Sequence, residues 1–176
     1  MKKLFITLFL AVMAIGVNAQ VTWNVRAGVA VANADVETDW DPEVTDVGVT
    51  TALAVGCNIP IKNSKFTFSP TIISVLGCRG DFWNDKVTFT TINMPLYIGY
   101  KINMGLAKYF IPKVGPYIGY QLVNESYDVY KNNELRFGPS AELAFEVNHF
   151  IVALSGSMAL HERHSGQGCL TVGYKF

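Results

Sequence analysis

Cys169-Leu170-Thr171-Val172-Gly173-Tyr174-Lys175-Phe176 is a stretch of strict alternation. Leu170, Val172, Tyr174 and Phe176 fall on one face, and Cys169, Thr171, Gly173 and Lys175 on the other. A period of two over so short a run predicts a half-buried strand. Its apolar face ends on the aromatic Phe176. A wall that meets lipid accounts for such a face, and pairing of the last strand with the first leaves no open edge. Phe176 is therefore expected at the membrane-insertion end of a closed barrel.

Working outward, the composition agrees. The chain has 176 residues, one domain by length, and half of it is apolar. A helical membrane protein needs runs of about 20 apolar residues, and only one long apolar run is present. The other apolar residues are scattered in alternation, and Gly (15), Phe (11) and Tyr (8) are plentiful, an all-β composition. The long run lies at the start. Met1-Lys2-Lys3 is cationic, Leu4 to Val17 is apolar, and Val17-Asn18-Ala19 supplies small residues for cleavage. Residues 1–19 thus read as a secretory signal peptide and 20–176 as an outer-membrane β-barrel domain. No Cys follows the run, so no lipid anchor is expected. Without Lys2 and Lys3 the 14 basic residues fall two short of the 14 acidic ones, a net charge of −2. Nothing in that balance invites nucleic acid.

Eight strands are predicted: about 21–32, 47–59, 65–76, 87–102, 109–122, 134–147, 149–160 and the closing strand. Long connections (33–46, 77–86, 123–133, 161–168) alternate with short ones (60–64, 103–108, 148). That is the pattern of an eight-stranded antiparallel up-and-down transmembrane β-barrel, with short periplasmic turns and long external loops. Two features fit less well. Val87 and Phe89 oppose the parity of Ile92, Met94, Leu96, Ile98 and Tyr100, which suggests a bulge near Thr90. Pro70, Pro95, Pro112, Pro116 and Pro139 sit inside predicted strands, where each deletes a ladder hydrogen bond, so bulges or strand ends are expected there.

Ile92-Asn93-Met94-Pro95-Leu96-Tyr97-Ile98-Gly99-Tyr100-Lys101 and Gly115-Pro116-Tyr117-Ile118-Gly119-Tyr120 resemble two consecutive strands of the PorT-like outer-membrane β-barrel family of Gram-negative bacteria. The resemblance covers the mature chain as architecture and these two strands in detail. It implies a barrel similar to the small OmpA/OmpX-type barrels and brings no catalytic motif. Unlike OmpA proper, the chain is expected to end at the barrel, with no peptidoglycan-binding domain after it.

An eight-stranded barrel is filled by its own side chains. The inward positions are mostly small or polar, but Arg26, Lys113, Arg136, Glu142 and Glu146 share that parity. Charges inside a barrel must be paired or wet, so an internal polar network is expected, either a plug that shuts the barrel or a gated ion path. The first connection holds Asp35, Glu37, Asp39, Asp41, Glu43 and Asp46 with no basic residue. It reads as a solvated acidic external loop; a calcium site is the sharper alternative, without the Gly of an EF-hand loop. Trp40 in the same loop is a contact residue or folds onto the rim. His161-Glu162-Arg163-His164-Ser165 contains the parts of a hydrolase without an elbow or oxyanion turn, and its two His lack an evident third metal ligand. Cys57 is placed near the periplasmic end, and Cys78 and Cys169 near the outer rim, as free thiols or as a Cys78–Cys169 bridge.

The function expected is that of a non-enzymatic outer-membrane barrel, without cofactor or metal, whose external loops contact a surface or envelope component. The expected partners are outer-membrane lipid and lipopolysaccharide and the barrel-assembly machinery, and the expected state is a monomer. A lipid-modifying outer-membrane hydrolase and a soluble exported barrel binding a small apolar ligand are the alternatives.

Overall fold

The computed structural model describes residues 21–38, 41–62, 64–82, 85–125, 134–160 and 166–176. The signal-peptide segment, Asp39, Trp40 and His161 to Ser165 lie outside them. Nine strands and no helix occur among the described residues: β1 (Thr22–Thr38), β2 (Asp41–Pro60), β3 (Phe66–Phe82), β4 (Asp85–Tyr100), β5 (Ile102–Asn103), β6 (Lys108–Glu125), β7 (Glu134–Val147), β8 (Phe150–Met158) and β9 (Gly166–Lys175). They form one antiparallel sheet in the order β4-β3-β2-β1-β9-β8-β7-β6-β5, and β4 also pairs with β6. The two-residue β5 carries β4 a little further along β6, so eight strands make a closed wall with no free edge.

Closure is made by the opening stretch. β9 pairs with β1 from Gln167↔Ala32 to Lys175↔Asn24, and Trp23 and Phe176 exchange two backbone hydrogen bonds of 3.0 Å. Each wall strand alternates between buried and exposed positions. Trp23, Val25 and Val29, like Leu170, Val172 and Tyr174, face outward, while Asn24, Arg26, Ser69, Lys113, Glu142 and Thr171 are buried inside. The wall is thus apolar outside and polar inside, the reverse of a soluble ligand-binding barrel.

Three expectations need correction. The connection expected at Asn33–Asp46 is a paired ribbon: β1 and β2 stay in register from Asn33↔Val47 out to Val36↔Val44, and pair again at Thr38↔Asp41. Asp35 and Glu37 therefore belong to β1, and Asp41, Glu43 and Asp46 to β2. Backbone pairing needs no apolar stripe, and the sequence of this stretch carries none, so alternation does not announce it. Phe89 does not change face. It lies inside, 2 % exposed, with Ala30, Ala32, Ala52, Ala54, Ile73, Val75 and Cys169. The bulge expected near Thr90 is present, at Val75/Cys78 opposite Thr91 and Phe89 between β3 and β4 and at Thr88/Phe89 between β4 and β6; Gly77 takes φ +63° in the first.

The prolines are the third correction. None of the five sits at a register shift. Pairing between β2 and β3 stops at Gly56↔Thr71 and resumes in the same register at Ile59↔Phe68, skipping Pro70. Between β3 and β4 it skips Pro95, from Pro70↔Leu96 to Ile73↔Asn93. Between β4 and β6 it skips Pro116, from Pro95↔Tyr117 to Ile98↔Val114. The β7–β8 pairs end at Ser140↔Ser157, one step before Pro139. The missing N–H interrupts these ladders without moving them, because the closed wall holds the register from both sides; the β6–β7 ladder runs unbroken through Pro112↔Leu143 and Pro116↔Pro139.

Candidate functional site

The site is the lumen, and inward parity builds it. Glu142 on β7 is the hub. Its Oε2 accepts from Arg26 Nη1 of β1 at 2.9 Å and its Oε1 from Lys113 Nζ of β6 at 2.8 Å, all three side chains being essentially inaccessible. Lys113 Nζ also donates to Asn58 Oδ1 of β2 at 3.3 Å, which accepts from Ser69 Oγ of β3 at 2.7 Å. Asn58 Nδ2 donates to Glu146 Oε1 at 3.1 Å, and Lys175 Nζ of β9 closes the chain on Glu146 Oε2 at 2.5 Å. Tyr97 OH of β4 and Ser140 Oγ of β7 lie 2.8 Å apart, and Ser140 Oγ donates to the Gly156 carbonyl of β8 at 3.1 Å. Side chains from seven of the eight wall strands take part, and β8 contributes the Gly156 carbonyl.

Of the five charged residues singled out in the sequence, Arg26, Lys113 and Glu142 come together directly, and Glu146 joins them through Asn58. Arg136 does not join that cluster. It is six residues along β7 from Glu142, roughly 20 Å at strand rise, and lines the other half of the lumen near Phe89, Thr91 and Asn93. Asn58, Ser69 and Lys175 were not singled out. Lys175 was legible, since it has inward parity on the closing strand; small polar inward residues such as Asn58 carry no signal of their own.

The lumen is filled. Above the charged layer is the cluster around Phe89, and toward the short turns Ile111, Ala144, Ile151 and Ala153 pack with Tyr109. Two internal cavities among the described residues are about 10 Å³ each, room for about one water apiece. The larger space, about 1240 Å³, opens on the outside of the wall along β6, β7 and β8, between Val114, Pro116, Phe137, Ala141 and Met158.

Cys57 and Cys169 are buried free thiols, so the Cys78–Cys169 bridge is absent. Among the described residues no group of three His, Cys, Asp or Glu side chains is placed to hold a metal ion. The side chains of the acidic loop, Cys78, His164 and Ser165 lie outside the described residues.

No family model and no curated protein matches the chain. Solved structures do. Neisserial surface protein A is 9 % identical with a TM-score of 0.56, covering 87 % of this chain and 95 % of that one. The outer membrane protein OprG from Pseudomonas aeruginosa is 13 % identical with a TM-score of 0.55, covering 88 % and 95 %. Ail, the attachment invasion locus protein of Yersinia pestis, in complex with the heparin analogue sucrose octasulfate, is 14 % identical with a TM-score of 0.51, covering 89 % and 99 %. The likeness is one of fold: a small closed barrel of the outer-membrane kind.

Proposed function

We propose that the protein is an integral outer-membrane β-barrel of the OmpA/OmpX type, exported by residues 1–19, sealed through its middle, and acting without catalysis through the end opposite the short turns. The observation that carries this reading is the facing of the wall. Val25, Val29, Ile72, Ile98, Leu154 and Val172 are all more than 40 % exposed on the outside, while an ion-paired network occupies the inside. Apolar surface encircling a molecule is untenable in water and suits hydrocarbon. The PorT-like resemblance supports the same assignment, with lipid and lipopolysaccharide as surroundings, the barrel-assembly machinery as insertion partner, and a monomer as the working state.

The filled lumen makes the network a plug. Purified protein in a planar bilayer is expected to give no steady conductance; a stable single-channel current would overturn the plug. The interaction end is acidic: every Asp and Glu except Glu142 and Glu146 falls in or beside the connections at that end. A polyanion such as the sucrose octasulfate bound by Ail would be repelled there, so a basic surface or a cation-bridged one is the better fit. The first test is an outer-membrane fraction run boiled and unboiled. A heat-dependent mobility shift is expected; a soluble protein, or one that runs alike both ways, would sink the membrane reading.

A further inference from the structure

We propose that the short-turn end of the barrel is a docking surface for anionic phospholipid headgroups of the inner leaflet, with the turn after β5 as an apolar finger and exposed lysines as phosphate ligands. The proposal rests on the membrane reading above and assigns a partner to the opposite end from the acidic connections.

Charge is the first observation. Residues 57–66, 100–110, 147–150 and 174–176, which make up this end, contain Lys62, Lys65, Lys101, Lys108 and Lys175 and no Asp or Glu. Lys175 is taken by Glu146, and Lys101 Nζ lies 3.8 Å over the Tyr109 ring. Lys62, Lys65 and Lys108 stand exposed, and no acidic residue lies in their own segments to neutralise them. Basic residues at the surface of an anionic leaflet each strengthen binding roughly fivefold.

Shape is the second. Trp23, Phe66, Tyr100, Phe150 and Tyr174 form an outward aromatic belt at this level, the usual marker of a membrane–water interface. The other short turns carry less apolar surface: one exposed Ile61 precedes Lys62 in the first, and Asn148 and His149 form the last. The β4–β5 stripe instead runs on past Tyr100 to Ile102, Met104 and Leu106, which are 39 %, 60 % and 93 % exposed. This turn is built rather than loose. Lys108 N donates to Gly105 O at 2.9 Å, Met104 N to Lys108 O at 2.9 Å, and Gly105 N to Asn103 Oδ1 at 2.8 Å. Leu106 and Ala107 hold φ of +40° and +57°, a left-handed backbone that favours Gly or Asn. A turn meant for water would carry those residues. Here a bare leucine is fixed at the tip, in line with the lipid-facing stripe and next to a lysine. That continuity favours lipid over a protein groove or the cell wall.

The test uses the full mature protein in nanodiscs of equal phosphatidylcholine and phosphatidylglycerol, extracted and read by native mass spectrometry. The wild type is expected to retain phosphatidylglycerol over phosphatidylcholine by roughly tenfold or more. The preference should fall to near parity in Lys62→Gln/Lys65→Gln/Lys108→Gln, and for the wild type at high salt. Leu106→Ser should lower total retained lipid while leaving the ratio unchanged. Parity in the wild type, a preference that survives the triple substitution, or capture by peptidoglycan sacculi with no lipid preference would each overturn the proposal. Heat-dependent mobility of every sample reports insertion separately, so failure of the barrel and failure of the docking surface are told apart.

Discussion

The ladders around β1 and those around β4 meet the same demand in different ways. On the β8–β9–β1–β2 side the backbone does the work: β1–β9 and β8–β9 are paired at every position, and β1–β2 runs unbroken from Thr22↔Asn58 to Val36↔Val44. On the β2–β3–β4–β6 side each ladder has a gap at a proline. Hydrogen bonds in the lumen lie at two of those gaps. Ser69 bonds Asn58 across the break left by Pro70, and Tyr97, beside the break left by Pro116, reaches across to Ser140. One wall is held by its backbone and the other by its contents. A closed sheet can carry prolines in mid-strand when a polar interior supplies cross-links, a reason for the buried polar side chains that owes nothing to ion conduction.

The largest expected effect comes from removing the hub that joins the two sides. Glu142→Gln leaves Arg26 and Lys113 buried without their counter-charge, and breaking a buried pair in this way costs about 3 kcal/mol or more. Urea unfolding in detergent micelles should show a loss of that order with the heat-dependent mobility shift retained. A loss below about 1 kcal/mol would mean that the network decorates the wall without holding it.

A matched pair of hydroxyl deletions sharpens the comparison. Ser69→Ala removes a buried 2.7 Å hydrogen bond at a proline gap and should cost about 1–1.5 kcal/mol. Thr171→Ala removes a 3.4 Å bond to Ala153 O beside continuous ladders and should cost less than about 0.5 kcal/mol, since bonds this long are weak. Equal costs in the same unfolding assay would erase the distinction between the two sides.

These contrasts mark how far the sequence could be read. Wall facing was legible because apolar alternation has one cause in a barrel, and the inward charges Arg26, Lys113 and Glu142 were legible because so few share that parity. Phe89 misled, since an apolar residue inside a barrel is indistinguishable in sequence from one shifted outward by a bulge. The continued pairing of β1 and β2 was hidden, because backbone bonds alone hold it and the acidic stretch carries no apolar alternation. The prolines were misplaced by a rule drawn from open sheets, where a lost bond frees an edge. Here the interruption is enclosed, and the hydrogen-bonded pair beside it, Asn58 and Ser69, are ordinary small polar residues.

The smallest expected effect restores one missing donor. Pro116→Val supplies an N–H opposite Leu96, where the β4–β6 ladder skips. One new hydrogen bond contributes roughly 0.5–1.5 kcal/mol, but losing proline restores unfolded-state freedom worth about 0.4–1 kcal/mol. The two nearly cancel, so global stability should move by less than about 1 kcal/mol. The informative probe is the new amide itself, followed by hydrogen exchange. Protection like that of its ladder neighbours would show that the proline alone opened the wall. Rapid exchange would point instead to the backbone path. At Gly115 an added Cβ would lie 2.0 Å from Leu96 O, so the strands already approach there closely enough that only a glycine fits, and the gap would then belong to how β4 and β6 cross rather than to the missing donor.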